Sequence, residues 1–236
     1  MLNAIGLENP GLEAFIRKEV PFLQKIGIPV IVSVAADSPA QFARICRRLS
    51  KVKGICALEL NISCPNLGKR TLIAQDARAT YAVVKAVKKA TRLPVITKLS
   101  PNVTDISEIA RAAERAGSDI LSLVNTFFGM SVDLKTKRPK LGNVWGGLSG
   151  PAIKPQALGM LRRVSKAVKI PLIGMGGIMN TQDALEFIIC GASAVAVGTG
   201  NFVNPKTTVE IITGIRKYLK ENKIRSIKKL IGSLKQ

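Results

Sequence analysis

The stretch ALELNIS at residues 57–63, the amphipathic segment at 74–91 and the stretch PVITKLS at 94–100 decide the fold. Both apolar stretches are nearly continuous in Val, Ile and Leu, as strands buried on both faces are. The segment between them has the spacing of a helix that covers a sheet. Together the three predict a βαβ unit, because parallel strands need a crossover connection of this kind.

The same alternation extends over most of the chain. Four further runs predict strands of the same kind, also expected to be buried on both faces: PVIVSVA from Pro29, ILSLVNT from Ile120, PLIGMGGI from Pro171 and AVAVGTG from Ala194. Helices are predicted at 40–52, 106–116, 155–168, 181–190 and 207–221, and Gly117 and Gly191 are placed to cap two of them. Six strand–helix units in succession predict a parallel sheet with covering helices.

Polar or glycine-rich residues follow the carboxyl ends of these strands, in the motifs SCPN, SPN, NT, GG and GTG. In a closed barrel this edge carries the active site. An open doubly wound sheet would also bind ligands there, but no G-x-G-x-x-G turn follows the first strand. We therefore expect an α/β fold, a (β/α)8 TIM barrel that is N-terminally incomplete, with about six of its eight βα units present.

The composition excludes several kinds of protein and of catalytic site. The 236 residues are 47% hydrophobic and 22% charged, as in a soluble globular protein. No apolar run is long enough to cross a membrane and no signal peptide opens the chain, so we expect a cytoplasmic protein. There is no histidine, so a base must be Cys, Lys, Tyr or a carboxylate. The four cysteines lack metal-ligand spacing, so we expect no metal site.

The formal charge of +21 suggests a polyanionic partner. The last 22 residues, from Ile215, hold eight Lys or Arg and one Glu. The remaining charge is spread over helix-like segments, and aromatic residues make up only 4% of the chain. A lysine-rich solvated surface therefore explains the charge better than a nucleic-acid site, which would need stacking side chains.

One cysteine differs from the other three. Cys64 lies in Asn61-Ile-Ser-Cys64-Pro-Asn66, where a strand gives way to a loop, so its sulfur can face a pocket. Cys46, Cys56 and Cys190 lie in apolar segments and are expected to be buried structural residues. Because an ordinary thiol has a pKa of about 8.5, a modest shift makes Cys64 a useful base near neutrality.

Three further features indicate a ligand. Gly174-Met-Gly-Gly177 and Val197-Gly-Thr-Gly200 follow the last two strands, where barrels frequently bind phosphate. Lys98 lies inside a hydrophobic strand and must meet an anion, an electron-rich cofactor or water at the strand end. Asn3, Asn61 and Asn125-Thr126 could converge on a planar polar ligand. The long connection at 127–155 holds the only Trp and is expected to be ordered and close to that ligand.

Seven segments together resemble the dihydroorotate dehydrogenases, and most closely the NAD-linked, two-subunit class. They are MLNAIGLENPGLE from Met1, LELNISCPN from Leu58, VITKLSPNV from Val95, VNTFFGMSVDLKT from Val124, GGLSGPAIKP from Gly146, IGMGGI from Ile173 and AVAVGTGNF from Ala194. The resemblance runs to about residue 220. It implies a single FMN-binding barrel domain over 1–236, with a basic C-terminal extension from about residue 222.

The resemblance implies that dihydroorotate is oxidised to orotate in pyrimidine biosynthesis. Cys64 would take the C5 proton while hydride passes from C6 to FMN. The residues that match FMN contacts are Ser33, Asn61, Lys98, Val124, Gly150, Gly176, Gly177, Gly198 and Thr199. The residues that match substrate contacts are Asn3, Ala4, Ile5, Gly6, Leu7, Asn61, Asn125 and Thr126.

The resemblance also implies a partner. In the two-subunit class, electrons pass from FMN to an electron-transfer subunit with FAD and a [2Fe–2S] cluster, and then to NAD. The expected assembly is a homodimer of catalytic subunits within a heterotetramer, without a membrane. Two departures stand out: Ser33 replaces a family Asn, and the family's first two βα units precede the residue that aligns with Met1.

Three alternatives remain open from the sequence. The chain could be a truncated, inactive fragment of such an enzyme, because an open barrel exposes unpaired strand edges. It could be a flavoenzyme acting on tRNA, resembling the dihydrouridine synthases, which share the FMN barrel and a cysteine motif. It could also belong to the fumarate-linked, single-subunit class, because no feature of the sequence settles the electron acceptor.

Overall fold

A computed structural model describes residues 1–63 and 72–235. Each of the six predicted strands is present. They are β2 (Val30–Val34), β3 (Ile55–Asn61), β4 (Val95–Lys98), β5 (Ile120–Leu123), β10 (Leu172–Met175) and β11 (Ala194–Ala196). They form one sheet in the order β2-β3-β4-β5-β10-β11, with parallel pairing at β2–β3, β3–β4 and β10–β11. This sequential order confirms the α/β fold and matches six consecutive units of a (β/α)8 barrel.

Helices separate these strands as predicted. The main ones are α3 (Pro39–Leu49), α4 (Ala77–Ala90), α5 (Ile106–Arg115), α6 (Lys154–Ala167), α7 (Thr181–Cys190) and α9 (Thr207–Glu221). Side chains fix where they begin: Ser38, Asp76 and Asn180 each accept a backbone N–H of the first turn. Gly117 and Gly191 end α5 and α7 with positive φ angles, which confirms the predicted glycine caps.

Shorter elements complete the chain. Before β2 the chain forms helix α1 (Leu12–Ala14), a π-helical turn (Phe15–Glu19) and helix α2 (Val20–Ile26). Helix α8 (Thr199–Val203) follows β11. Single 3₁₀ turns lie at Ile73–Gln75, Pro151–Ile153 and Ile227–Lys229.

The long connection at 127–155 is ordered as predicted. Strand β6 (Phe127–Gly129) pairs antiparallel with β9 (Gly146–Leu148), and β9 also pairs with β1 (Leu2–Asn3). Strands β7 (Val132–Asp133) and β8 (Arg138–Pro139) close the hairpin between them.

Burial differs from the prediction at the edges of the sheet. The interior strands are mostly buried, with Cys56 of β3 an exception, whereas Ile31 of β2 is 50% exposed and Ala194 of β11 is exposed. The expectation that all six strands are buried on both faces is therefore wrong for β2 and β11. Both are edge strands, where no neighbouring strand shields the side chains.

The chain divides into two compact units, each with its own core. The N-terminal unit comprises Ile5–Leu99 and Glu108–Leu121. Its core forms where α3 and α4 cover β2 to β4. The largest fully buried side chains there are Phe42, Leu49, Leu58, Leu60, Ile62, Ile96, Leu99 and Leu121.

The C-terminal unit comprises Met1–Ala4, Ser100–Ser107 and Ser122–Gln236. Phe187 of α7 lies directly over β10, because a Cβ on Gly174 would stand 2.5 Å from its ring. The basic segment after α9 packs back through Leu230, which is buried against Leu185 and Ile188. Among the residues described, no helix combines the length and apolarity that crossing a bilayer requires.

Candidate functional site

Glycines after three strands of the C-terminal unit lie close together. Gly177 has a φ of +79°, and a Cβ there would stand 2.8 Å from the carbonyl oxygen of Gly150. Gly176 has a φ of +122°, and its Cβ would meet Ala157 at 2.9 Å and Val124 at 3.4 Å. Positive φ and close approach both exclude a side chain, so glycine is required at these turns.

The loop after β11 joins the same group. A Cβ on Gly150 would stand 3.3 Å from Thr199 Cγ2, and Ser149 Oγ lies 2.7 Å from Thr199 Oγ1. Gly198, directly before Thr199, has no atom within 4 Å of its Cβ position. We call Gly150, Gly176, Gly177, Gly198 and Thr199 the glycine cluster. The structure brings together all of these predicted cofactor residues, with Val124 beside them.

The glycine cluster fits a phosphate-bearing cofactor such as FMN. Gly198 opens onto free space that a larger residue would fill, so a bulky anion can approach the backbone closely. The hydroxyls of Ser149 and Thr199 lie beside that space as hydrogen-bond partners. Barrels frequently bind phosphate at loops of this kind, at the carboxyl ends of their last strands.

A partly buried group of three charged residues packs against the glycine cluster at Gly177. Lys154 packs against Gly177, and its Nζ donates to Asp183 Oδ1 at 2.6 Å and to Glu186 Oε2 at 3.0 Å. The hydrogen bond to Asp183 has the largest effect on the pKa of Lys154, and together with the one to Glu186 it raises that pKa above its ordinary value. Asp183 also accepts the backbone N–H of Met179 at 2.9 Å, so one carboxylate anchors both the lysine and the loop after β10.

Three predicted substrate residues lie at the base of the long hairpin. Asn3 pairs with Gly147 in β1–β9, and a Cβ on Gly146 would stand 2.5 Å from the Asn3 carbonyl oxygen. A Cβ on Gly147 would stand 2.5 Å from Thr126 Oγ1. Asn125 Oδ1 accepts the backbone N–H of Thr126 at 2.8 Å. The base of the hairpin, rather than its tip, therefore contacts the candidate site.

The N-terminal unit carries a group of polar and charged side chains on three adjacent strands. Ser33, Glu59, Asn61 and Lys98 lie on three adjacent strands, with Ser33 paired to Glu59 and Asn61 paired to Lys98 in register. We call these four residues the polar sheet face. The Ser33 hydroxyl donates to Glu59 Oε1 at 3.3 Å.

Glu59 is a residue that sequence reasoning missed. Its Oε1 lies 3.8 Å from Lys98 Nζ, and the two side chains are only 14% and 22% exposed. The sequence predicted an anion or an electron-rich cofactor for Lys98, and the structure supplies a carboxylate from the next strand. The signal was present in LELN, because a glutamate between buried leucines two residues before Asn61 shares the face of Asn61.

Four further predicted substrate residues lie at 4–7, near the start of the chain. The side chains of Ile5 and Leu7 are exposed, Gly6 has a φ of +85°, and Ala4 directly follows β1. Cys64 lies outside the described residues. Just before it, the backbone N–H of Ser63 donates to Asn61 Oδ1 at 3.3 Å. Ser63 Oγ is buried and has no hydrogen-bond partner among the residues described.

The other cysteines are not equivalent. Burial raises the pKa of Cys46 to about 12 and raises that of Cys190. Both are buried, as predicted. Cys56 is exposed, and its thiol donates to the Val30 carbonyl oxygen at 3.0 Å, so its assignment as a buried residue is wrong. Cys56 lies at an irregularity of the β2–β3 pairing, where Val30 pairs with Ile55 and Ile31 pairs with Ala57, so residue 56 is skipped in the register.

Comparison with known proteins agrees with this geometry. The family model described as dihydroorotate dehydrogenase matches residues 1–219. A protein of Desulforamulus reducens is 53% identical over 99% of this chain, which spans 77% of that relative. A protein of Geobacter metallireducens is 52% identical over the same shares of each chain. Both are named dihydroorotate dehydrogenase B (NAD(+)), catalytic subunit. The chain belongs to the dihydroorotate dehydrogenase family.

Proposed function

We propose that this chain oxidises (S)-dihydroorotate to orotate in de novo pyrimidine biosynthesis, with FMN as the first electron acceptor. The observation that carries the proposal is the family match over residues 1–219, which includes the glycine cluster and the polar sheet face. The relatives at about 50% identity carry this substrate in their names. The small, donor-rich turns around Gly198 and Thr199 support FMN phosphate binding.

The proposed chemistry removes two hydrogens from adjacent carbons. The Cys64 thiolate takes the proton from C5 of dihydroorotate, the C6–H bond breaks as a hydride, and the C5=C6 double bond of orotate forms. FMN, when bound, supplies the acceptor for that hydride. A cysteine base accords with a chain that contains no histidine.

The remaining residues position the reactants in this proposal. The residues proposed to bind the pyrimidine ring are Asn3, Asn61, Asn125 and Thr126, whose amide and hydroxyl groups can both donate and accept hydrogen bonds. Lys98 supplies a cation that favours negative charge on a reduced cofactor. Glu59 holds the Lys98 side chain within the sheet.

The electrons leave through a partner in the proposed enzyme. The relatives are named as NAD(+)-linked catalytic subunits, which implies a separate subunit in those proteins. We infer that this chain passes its electrons to an electron-transfer subunit that carries FAD and a [2Fe–2S] cluster, and from there to NAD. The expected assembly is a homodimer within a cytoplasmic heterotetramer.

The test is anaerobic flavin reduction in Cys64→Ser and Cys64→Ala. Dihydroorotate should bleach the flavin of the FMN-loaded wild-type chain. In both variants bleaching should be slower by about a hundredfold or more, as expected for loss of a general base. Cys56→Ser is the matched control and should react at the wild-type rate. Normal bleaching in Cys64→Ala would refute the assigned base.

A further inference from the structure

Asn102, in the loop after β4, lies outside the residues assigned so far and bridges two elements of the C-terminal unit. Its Nδ2 donates to the Thr126 carbonyl oxygen at 2.9 Å, and its Oδ1 accepts the Phe128 backbone N–H at 3.0 Å. One amide group thus holds both sides of Phe127. The substrate candidates Asn125 and Thr126 immediately precede this clamp.

The amide itself is held in place. The Ser100 hydroxyl oxygen, on a buried residue, accepts from the Asn102 backbone N–H at 3.2 Å and from Nδ2 at 3.4 Å. From the opposite side, Gly147 of β9 packs against Thr126, because a Cβ on Gly147 would stand 2.5 Å from Thr126 Oγ1. Thr126 is therefore fixed between a side-chain amide and a glycine.

The chemistry of the clamp requires an amide. It needs a donor toward the Thr126 carbonyl and an acceptor toward the Phe128 N–H at the same time. Asparagine offers both on one planar group. Aspartate keeps the acceptor but places a carboxylate oxygen against the Thr126 carbonyl, and alanine removes both partners.

We propose that Asn102 is a positioning residue for substrate, which holds Asn125 and Thr126 in the conformation that binds the pyrimidine ring. The inference rests on the proposed function. It assigns to Asn102 no contact with substrate or cofactor. Its effect is on substrate affinity, because the proposed base Cys64 and the glycine cluster belong to other segments of the chain.

The experiment compares Asn102→Asp and Asn102→Ala with Asn204→Ala. Asn204 is a matched control, because its amide also bridges two groups of the C-terminal unit, the Glu210 carboxylate and the Lys206 backbone N–H. Orotate binding is measured through the spectral change of bound oxidised FMN. The dihydroorotate concentration that half-saturates flavin reduction is measured by anaerobic rapid mixing.

Both Asn102 variants should weaken orotate binding and raise the half-saturating concentration about tenfold, the loss expected for one hydrogen bond. FMN content and the limiting rate at saturating substrate should stay within about threefold of wild type. Hydrogen exchange at residues 126–128 should accelerate in both variants but not in Asn204→Ala.

Unchanged orotate affinity in both variants, with wild-type binding intact, would overturn the role of Asn102 alone. A parallel fall of affinity, FMN content and limiting rate would also overturn it, because that pattern describes general structural damage. Failure of the wild-type chain to bind orotate would instead overturn the proposed function, and the substrate role of Asn102 with it.

Discussion

The glycine cluster and the polar sheet face perform their expected tasks by opposite means. In the glycine cluster the absence of side chains lets three turns approach one another and leaves free space next to Gly198. The polar sheet face is made by putting charge in, with Lys98 and Glu59 mostly buried on neighbouring strands. The first is limited by steric tolerance and the second by electrostatics, so the two should fail differently when altered.

The largest effect is expected at the glycine cluster. In Gly177→Ala, a φ of +79° and contacts of 2.8 Å to Gly150 and Lys154 leave no room for a methyl group. We expect the free energy of unfolding to fall by about 2–4 kcal/mol, from backbone strain and overpacking. Chemical denaturation and the FMN content of the purified protein measure the change.

Two other glycines sharpen this result. Gly159 lies in α6 with no neighbour within 4 Å, so Gly159→Ala should keep its FMN and gain up to about 1 kcal/mol. Gly198→Ala also has room in the protein alone, so its stability without FMN should be unchanged while its FMN affinity falls. Full FMN affinity in Gly198→Ala would contradict the assignment of that turn to FMN phosphate binding.

The next effect concerns the Lys98–Glu59 pair. Because the two charges lie 3.8 Å apart and mostly out of water, a double-mutant cycle with Lys98→Met and Glu59→Gln should give a coupling of about 1 kcal/mol in unfolding free energy. Lys98→Met should also slow flavin reduction by dihydroorotate more than Glu59→Gln does. Additive changes in unfolding free energy, together with equal rates of flavin reduction in the two single variants, would contradict an electrostatic role for this pair.

A smaller effect is expected from pH. The hydrogen bonds that Lys154 donates to Asp183 and Glu186 raise its folded-state pKa above the ordinary value of 10.5. Its contribution to stability is therefore fully present below pH 10.5 and is lost as pH rises through the raised pKa. Unfolding free energies of wild type and Lys154→Met should converge above that pH, and a constant difference would contradict the ion pair.

The smallest effect is chemical rather than energetic. Cys46 and Cys190 are buried with raised pKa values, whereas Cys56 is exposed. In the native protein at pH 8, iodoacetamide should modify Cys56 and leave Cys46 and Cys190 intact, as peptide mass spectrometry would reveal. Equal modification of Cys46 and Cys56 would contradict the buried setting of Cys46. The Cys56→Ser chain then isolates any reaction at Cys64.

The sequence predicted the elements well and the supporting contacts poorly. The strands were predicted because short, continuous apolar runs such as VITK are typical of buried strands. The glycine cluster was predicted because its motifs follow the last two strands. Glu59 was missed because a charge inside an apolar strand has no partner until the register is known. Asn102 was missed because its amide serves residues 24 and 26 positions further along the chain. Cys56 was misjudged because the irregularity that skips it in the β2–β3 pairing is visible only once the register is known.

The most direct measurement is the amount of orotate formed per bound flavin in a single anaerobic turnover. The chain is loaded with FMN and mixed with excess dihydroorotate without any electron acceptor. The account predicts that the flavin bleaches and that one orotate forms for each flavin reduced. A flavin that is bound but stays oxidised, with no orotate formed, would contradict it.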